Sequence, residues 1–319
     1  MSENARGGKI VITGANGMVG SSLVDRLAGR FELVLVDVVT GRIESLGDSN
    51  RVLKASCLCV DEWESALENA YCVVHLAALV HRTAGTSGES DQYIATNVEA
   101  TRMLYEACVR QRVRRFLFFS TNDVYRPSRE LATEETPTEP RGPYARSKLI
   151  AEQHLWEASR DVGTAVCVFR PASIYGENDT GSMRSLVLLC RKGVVPMIGR
   201  GNTPKALLYV KDAAQAVERY IVSQRDHRGE VFNICSGTHT YREIIDTICE
   251  VYRLAPLRVC VPEWFCRRIA PRIRPLSKLA TAAQARVISG CKAARLLGYK
   301  PEYSLAEGLT DSIDYYLQP

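Results

Sequence analysis

The 319 residues allow one large or two small domains, and 46% hydrophobic with 24% charged residues is ordinary for a soluble globular protein. The formal net charge of +5 comes without a dense Lys/Arg tract, so no nucleic-acid partner is expected; Arg110-Gln111-Arg112-Val113-Arg114-Arg115 sits at a predicted helix end, where cations suit the dipole. The 11 cysteines form no CxxC pair and lie mostly in apolar runs, reading as buried reduced thiols with no metal site. No apolar run approaches the ~20 residues of a membrane span and no signal-peptide pattern is present, so the expectation is a cytoplasmic protein without a membrane partner.

In chain order, Lys9–Thr13 reads as a strand, Gly17–Ala28 as a helix, Phe31–Asp37 and Val52–Ala55 as strands, and Asp61–Asn69 as a helical segment. Tyr71–Leu76 is a strand, Asp91–Arg110 a helix, Arg115–Ser120 a strand, Tyr144–Arg160 a helix and Thr164–Arg170 a strand. These strands are continuous Val, Ile, Leu and Phe runs, the pattern of strands buried on both faces. Strand–helix alternation predicts an α/β fold with a doubly wound parallel sheet.

After Arg170-Pro171 the pattern breaks into short strands at Val194–Ile198, Leu207–Val210 and Val231–Ile234, with helices at Lys211–Val222 and Tyr241–Tyr252. A basic, proline-punctuated region from Pro262 to Pro275 precedes two helices ending at Tyr316. The expected division is a cofactor domain over residues 1–170 and a smaller C-terminal α/β substrate lobe over residues 171–319. Segments near 204–235 are candidates to return to the first domain, and the cleft between the lobes is the expected ligand site.

Thr13-Gly14-Ala15-Asn16-Gly17-Met18-Val19-Gly20 follows the first strand and opens the first helix. Gly14 permits the tight turn, Gly17 lets the backbone approach a pyrophosphate, and Gly20 allows close helix–sheet packing. The helix N-terminus offers N–H groups to the phosphates. Asp37 ends the second strand, where a carboxylate accepts from the adenosine ribose hydroxyls and repels a 2′-phosphate, favouring NAD over NADP. Arg42 lies nearby and reads as a solvated loop charge.

Tyr144-Ala145-Arg146-Ser147-Lys148 begins a helix after Pro143, and the spacing of four puts Tyr144 and Lys148 on one face. A phenol is a poor base at neutral pH; an ammonium beside it would lower its pKa and let Tyr144 take a proton from an alcohol. Phe116-Leu117-Phe118-Phe119-Ser120-Thr121 is an apolar strand ending in hydroxyls at the carboxyl edge of the sheet, where Thr121 can bond the same substrate oxygen.

The order of glycine loop, acidic residue, Ser/Thr strand end and YxxxK resembles the short-chain dehydrogenase/reductase superfamily with its Rossmann-type sheet. TGANGMVG (13–20), HLAA (75–78), FFSTNDVY (118–125), YARSK (144–148), FRPASIYG (169–176) and the tail Lys292–Pro301 resemble an extended member, the NAD-dependent epimerase/dehydratase family acting on nucleotide sugars. The resemblance implies acid/base and hydrogen-bonding roles for Tyr144 and Thr121. It implies cofactor contacts by Gly14, Asn16, Gly17, Met18, Val19, Gly20, Asp37, Leu76, Ala77, Ala78, Ser120, Tyr144, Lys148, Pro171 and Ser173. Asn97 matches a family asparagine and reads as structural, and His75 as a satisfied core histidine. A homodimer packed through the helices around Asp91–Arg110 and Tyr144–Arg160 is also implied.

Departures matter as much. Ser56 stands where the family has an aspartate near the adenine, and Lys205 where many members place a diphosphate-binding arginine; lysine keeps the charge but loses the bidentate fork. Arg184, Arg200 and Arg286 are candidates to supplement it. Arg126 replaces a common glycine without a reason visible in the sequence. Asp123 follows Thr121-Asn122 where dehydratases resemble Thr-Asp-Glu or Thr-Ser-Glu; it is a candidate substrate contact, and a turn aspartate is the simpler reading. The leading expectation is a 4-epimerase of a nucleoside-diphosphate sugar acting through a 4-keto intermediate. A 4-keto-sugar reductase or a dehydratase is the alternative. A sterol or lipid alcohol oxidoreductase and a non-catalytic NAD-binding protein rank below.

Overall fold

The computed structural model describes residues 8–46, 50–80, 89–160, 163–273 and 277–318. In chain order its strands are β1 (Lys9–Thr13), β2 (Glu32–Asp37), β3 (Arg51–Lys54), β4 (Ala70–His75), β5 (Arg115–Phe119), β6 (Leu131–Ala132) and β7 (Ala165–Pro171). They continue with β8 (Ser173–Tyr175), β9 (Val194–Ile198), β10 (Pro204–Tyr209), β11 (Glu230–Ile234), β12 (Gly237–Thr240), β13 (Leu257–Val261) and β14 (Val287–Ile288). The helices used below are α1 (Met18–Leu27), α2 (Glu89–Ile94), α3 (Ala100–Arg110), α4 (Pro143–Ala158), α5 (Ser182–Arg191), α6 (Val210–Val222) and α7 (Tyr241–Val251).

Seven strands form one parallel sheet in the order β11-β7-β5-β4-β1-β2-β3. The side chains explain why these runs are apolar throughout. Ile10 and Ile12 of β1 enter one core with Cys72, Val74, Leu117, Phe119, Cys167 and Phe169, under α1 and α6. Val11 enters the opposite core with Val73, Phe116, Phe118, Val166 and Val168, under α3 and α4. With successive residues on opposite faces, each of these positions removes apolar area from water, about 1.5–3 kcal/mol for a fully buried Val, Leu, Ile or Phe. The cysteines of β4 and β7 are core fillers, and every cysteine is a free thiol.

The strand order reverses beside β1: the chain runs outward through β2 and β3, then returns to place β4 on the other flank. The carboxyl ends of β1 and β4 therefore border the switch-point crevice where ligands bind in such sheets. β11 extends the sheet beside β7, and α6 lies against α1. The residues after 170 add a three-stranded sheet of β12, β10 and β8 and the pair β13–β9, and β14 reaches back to pair with β6. A third core, with Tyr175, Val187, Tyr209, Ile245 and Tyr316, lies beneath these elements.

Two helices differ from expectation. The stretch Asp91–Arg110 is interrupted by a π turn at Ala95–Glu99 between α2 and α3. Asp61–Asn69 gives way to 3-10 pieces at Cys57–Glu62 and Glu64–Leu67, with Cys59 off helical geometry. There Ser56 caps the first piece and its carbonyl accepts from Trp63 Nε1 at 3.0 Å, so local bonds replace a regular helix. The strand expected at Leu207–Val210 starts earlier, at Pro204, and ends at Tyr209, because Val210 opens α6. The basic segment forms a short helix at Glu263–Arg268 and a 3-10 turn at Ala270–Arg272; its last residues, Arg274 and Pro275, lie outside the described residues.

Candidate active site

Three loops meet at the switch point. Gly14 takes φ +72°, and a Cβ there would lie 2.6 Å from the backbone nitrogen of Ala77, so only glycine lets the loop after β1 touch the loop after β4. Gly17 caps α1 without a side-chain hydrogen bond, leaving the helix entrance to other acceptors. Leu76 N–H donates to the Thr13 carbonyl at 3.0 Å, which fixes the Leu76-Ala77-Ala78 turn beside the glycines. Asp37 accepts from Asn16 N–H at 3.0 Å and from Val39 N–H at 3.1 Å. Arg42 donates through its backbone to Asn16 Oδ1 at 2.8 Å and through Nη1 to the Asn16 carbonyl at 3.0 Å. The arginine read as a solvated charge thus touches the cofactor loop. Ser56 accepts from Leu58 N–H at 3.1 Å, a capping bond.

The residues of α4 stand on the opposite side of β5. Lys148 is 2% exposed; its Nζ donates to the Phe119 carbonyl at 2.6 Å and sits 4.5 Å from the Phe118 ring centre. Burial drives its pKa down to about 7, with Glu152 pulling the other way. Tyr144 shows the opposite of the expected shift: burial, then Asp123, then Tyr93 push its pKa upward. The cause is physical: the ring lies against Tyr93, at 6.2 Å between centres, with a carboxylate near it. Thr121 accepts from Asp123 N–H at 3.1 Å, capping the turn Asn122–Val124. With that lone pair used, its hydroxyl proton remains to donate to an incoming oxygen.

The structure brings Asp123, Lys205 and Arg286 together. Arg286 Nη2 is 3.0 Å from Asp123 Oδ1, and its Nη1 reaches the carbonyls of Asn122 and Tyr125 at 3.3 and 3.2 Å. Lys205 is the backbone bridge partner of Arg286, but its Nζ donates to the carbonyls of Gln284 and Thr281 at 2.5 and 3.0 Å. Burial first, and Arg286 second, lower the Lys205 pKa to about 8. Arg184 makes different contacts: its N–H donates to Asp179 at 2.9 Å and its guanidinium lies over Tyr315. The Arg200 carbonyl accepts from Arg242, and Arg126 forms an exposed pair with Glu139. Pro171 ends β7, and Ser173 opens β8 in register with Leu207.

His75 is fully buried with both ring nitrogens engaged, Nδ1 with Thr13 Oγ1 at 2.6 Å and Nε2 with Thr101 Oγ1 at 2.9 Å. Thr101 gives its proton to the Asn97 carbonyl, so Nε2 carries the imidazole hydrogen and Nδ1 accepts from Thr13. Asn97, on the π turn, bonds both backbone groups of Leu79 at 2.7 and 3.1 Å and the Ser147 hydroxyl at 3.0 Å. These contacts tie the loop after β4 to α4.

Sequence reasoning missed one group. Glu152, Arg170, Ser120, Tyr125 and Asn233 form a buried polar network behind Lys148. The available signal was the row Tyr144, Lys148, Glu152, spaced by four along one helix face.

A family model described as the NAD dependent epimerase/dehydratase family matches residues 10–235. The trifunctional UDP-glucose 4,6-dehydratase/UDP-4-keto-6-deoxy-D-glucose 3,5-epimerase/UDP-4-keto-L-rhamnose-reductase RHM1 of Arabidopsis thaliana is 29% identical over 270 residues, 77% of this chain and 40% of its own. The chain thus spans about two fifths of that relative's length. A dTDP-glucose 4,6-dehydratase of Streptomyces niveus is 27% identical over 97% of this chain and 92% of its own. Among solved structures, UDP-glucuronic acid 4-epimerase from Bacillus cereus in complex with NAD superposes with a TM-score of 0.82 at 22% identity, covering 97% of this chain and 98% of that one. MoeE5 in complex with UDP-glucuronic acid and NAD gives 0.77 at 26% identity with the same coverage. The glycine loop, the switch-point crevice and the YxxxK helix lie where that family model runs, and the chain belongs to the NAD-dependent epimerase/dehydratase family.

Proposed function

We propose that the protein is an NAD-dependent 4-epimerase of a nucleoside-diphosphate sugar. The ion pair between Asp123 and Arg286 carries this choice within the family. Water elimination needs an added acid beside the tyrosine, and the one carboxylate of the Thr121-Asn122-Asp123 turn is committed to an arginine. Epimerisation asks only for Thr121, Tyr144 and Lys148. MoeE5, with UDP-glucuronic acid and NAD bound in its crystal structure, supports the substrate class. The dehydratase relatives keep elimination as the second reading.

The chain's groups fit NAD: glycines whose side-chain space is taken by Ala77 and Ala15, an α1 entrance without a side-chain cap, and a carboxylate ending β2. Gly14, Asn16, Gly17, Met18, Val19 and Gly20 would face the pyrophosphate, Asp37 the ribose hydroxyls, and Leu76, Ala77, Ala78, Ser120, Lys148, Pro171 and Ser173 the remainder. When bound, NAD supplies the hydride acceptor of an alcohol oxidation and the donor for its reversal. Tyr144 takes the proton of the C4 hydroxyl and later returns it to the oxygen of the inverted sugar. Thr121 donates a hydrogen bond to that oxygen in both states. The Lys148 ammonium offsets the charge of the tyrosinate, whose formation burial and Asp123 oppose. Arg286, with Lys205 beside it, is the cation for the diphosphate, and Arg184 is a further candidate on α5.

The same reading takes residues 1–170 as the cofactor domain and 171–319 as the substrate lobe, with β11 and α6 contributed back to the first. It takes α3 and α4, with half-buried Met103 and Trp156, as the faces of a homodimer. Buried reduced thiols support a reducing, cytoplasmic setting. The test is incubation with NAD and a panel of UDP-, dTDP- and GDP-sugars, following sugars by NMR and NADH by absorbance. Interconversion without net NADH is expected; stoichiometric NADH would replace epimerase by dehydrogenase, and a 4-keto-6-deoxy product by dehydratase. Tyr144→Phe should lose about a hundredfold or more in kcat; full activity would overturn the mechanism.

A further inference from the structure

Glu152 is 1% exposed and Arg170 is 6% exposed. Arg170 grips the carboxylate from two sides, Nε to Oε1 at 3.2 Å and Nη2 to Oε2 at 2.6 Å, while Nη1 donates to Tyr125 Oη at 2.9 Å. Tyr125 passes its proton on to Asn233 Oδ1 at 2.9 Å, and Ser120 donates to the same Oε1 that Arg170 Nε holds. A buried ion pair costs much of its attraction in desolvation and is a poor source of stability compared with apolar packing. Its place explains it better: one helical turn from Lys148, beneath the hydroxyl end of β5.

The surroundings of Lys148 are well defined. From β5 come the Phe119 carbonyl and the Phe118 ring; from β4 comes His75, which is neutral; from β7 comes the cation of Arg170, paired with Glu152. From α4 itself comes Glu152, four residues on. Glu152 lies one helical turn on from Lys148 and raises its pKa against the burial that lowers it. We propose that Glu152, clamped by Arg170, is a positioning residue: its fixed negative charge anchors the Lys148 ammonium, and its Oε1 anchors Ser120 at the end of β5. This rests on the reading of Lys148 as the partner of Tyr144.

The experiment reads Lys148 directly, without a sugar. In the full chain with 13Cε-labelled lysine, the Lys148 signal is identified by its loss in Lys148→Arg and titrated by NMR. Glu152→Gln, which keeps shape and loses charge, should lower the midpoint by about one unit or more, a tenfold loss of the charged form above it. Glu152→Asp, which keeps charge and shortens the chain, should restore most of the shift. An unmoved midpoint in Glu152→Gln, or a larger change in Glu152→Asp than in Glu152→Gln, overturns the proposal in favour of a packing role. If Glu152→Gln does not fold, the double variant Glu152→Gln/Arg170→Met leaves neither charge buried alone; its midpoint should still fall, by less because the Arg170 cation is gone too, and an unmoved midpoint overturns the proposal. Failure of every sugar in the activity panel would remove the epimerase reading while leaving this midpoint result intact.

Discussion

Arg286 Nη2 stands 3.0 Å from Asp123 Oδ1, joining the residue before β14 to the turn after β5. A substrate diphosphate reaching Arg286 shares the guanidinium with that carboxylate, so the pair weighs on binding more than on chemistry. Asp123→Asn should keep kcat within about fivefold and leave KM equal or lower. Arg286→Ala should raise KM about tenfold or more with a smaller effect on kcat. Steady-state kinetics on the best sugar checks both. A fall in kcat of about a hundredfold for Asp123→Asn would instead make Asp123 the acid or base of an elimination.

Asp37 holds the Asn16 and Val39 N–H groups while Arg42 already touches Asn16. Removing the carboxylate removes the repulsion of a 2′-phosphate and leaves a cation close by. Asp37→Ser should therefore reduce the preference for NAD over NADP by on the order of tenfold, measured as the ratio of cofactor affinities. An unchanged ratio would place the ribose elsewhere.

Gly14 was legible because a glycine after a strand states a local backbone requirement that the sequence displays directly. The two-faced burial of β1, β4, β5 and β7 was legible for the same reason: each residue carries its own apolar signal. The partners of Lys148 were not. Its bond to the Phe119 carbonyl and the approach of Glu152 to Arg170 depend on how α4 lies across β5 and β7, which no spacing along the chain encodes. The upward shift of Tyr144 was hidden likewise, because burial and the Asp123 charge come from tertiary packing while the sequence displays only Lys148 nearby. The π turn that presents Asn97 breaks a helical pattern whose residues all suit an unbroken helix.

Gly14→Ala tests the loop contact in isolation. The new Cβ would meet the Ala77 nitrogen at 2.6 Å at a positive φ that alanine resists. The expected cost is about 1–3 kcal/mol of stability, with NAD affinity falling by more than tenfold. Thermal unfolding and NAD titration measure the two effects. Wild-type affinity in a folded Gly14→Ala protein would show that the loop after β4 does not set the cofactor cradle.

His75 gives the molecule an acid sensitivity of defined sign. It is fully buried, and burial with the nearby Lys148 charge drives its pKa down to about 3 from an ordinary value near 6.5. Between those values the unfolded chain binds a proton that the folded chain refuses. Stability is therefore complete above about pH 6.5 and declines as the pH falls toward 3. Carboxylates titrate in part of the same range, so the useful quantity is the difference between wild type and His75→Gln in urea unfolding. Near pH 7 the wild type should be the more stable, because glutamine cannot reproduce both bonds to Thr13 and Thr101. By pH 4.5 that advantage should shrink by on the order of 2–3 kcal/mol as the imidazole in the unfolded chain takes up its proton. A difference independent of pH would mean that His75 takes up its proton in the folded protein as readily as in the unfolded chain. The Thr13 hydroxyl could not then donate to it, and the bond between β1 and β4 at the floor of the cofactor site would run the other way.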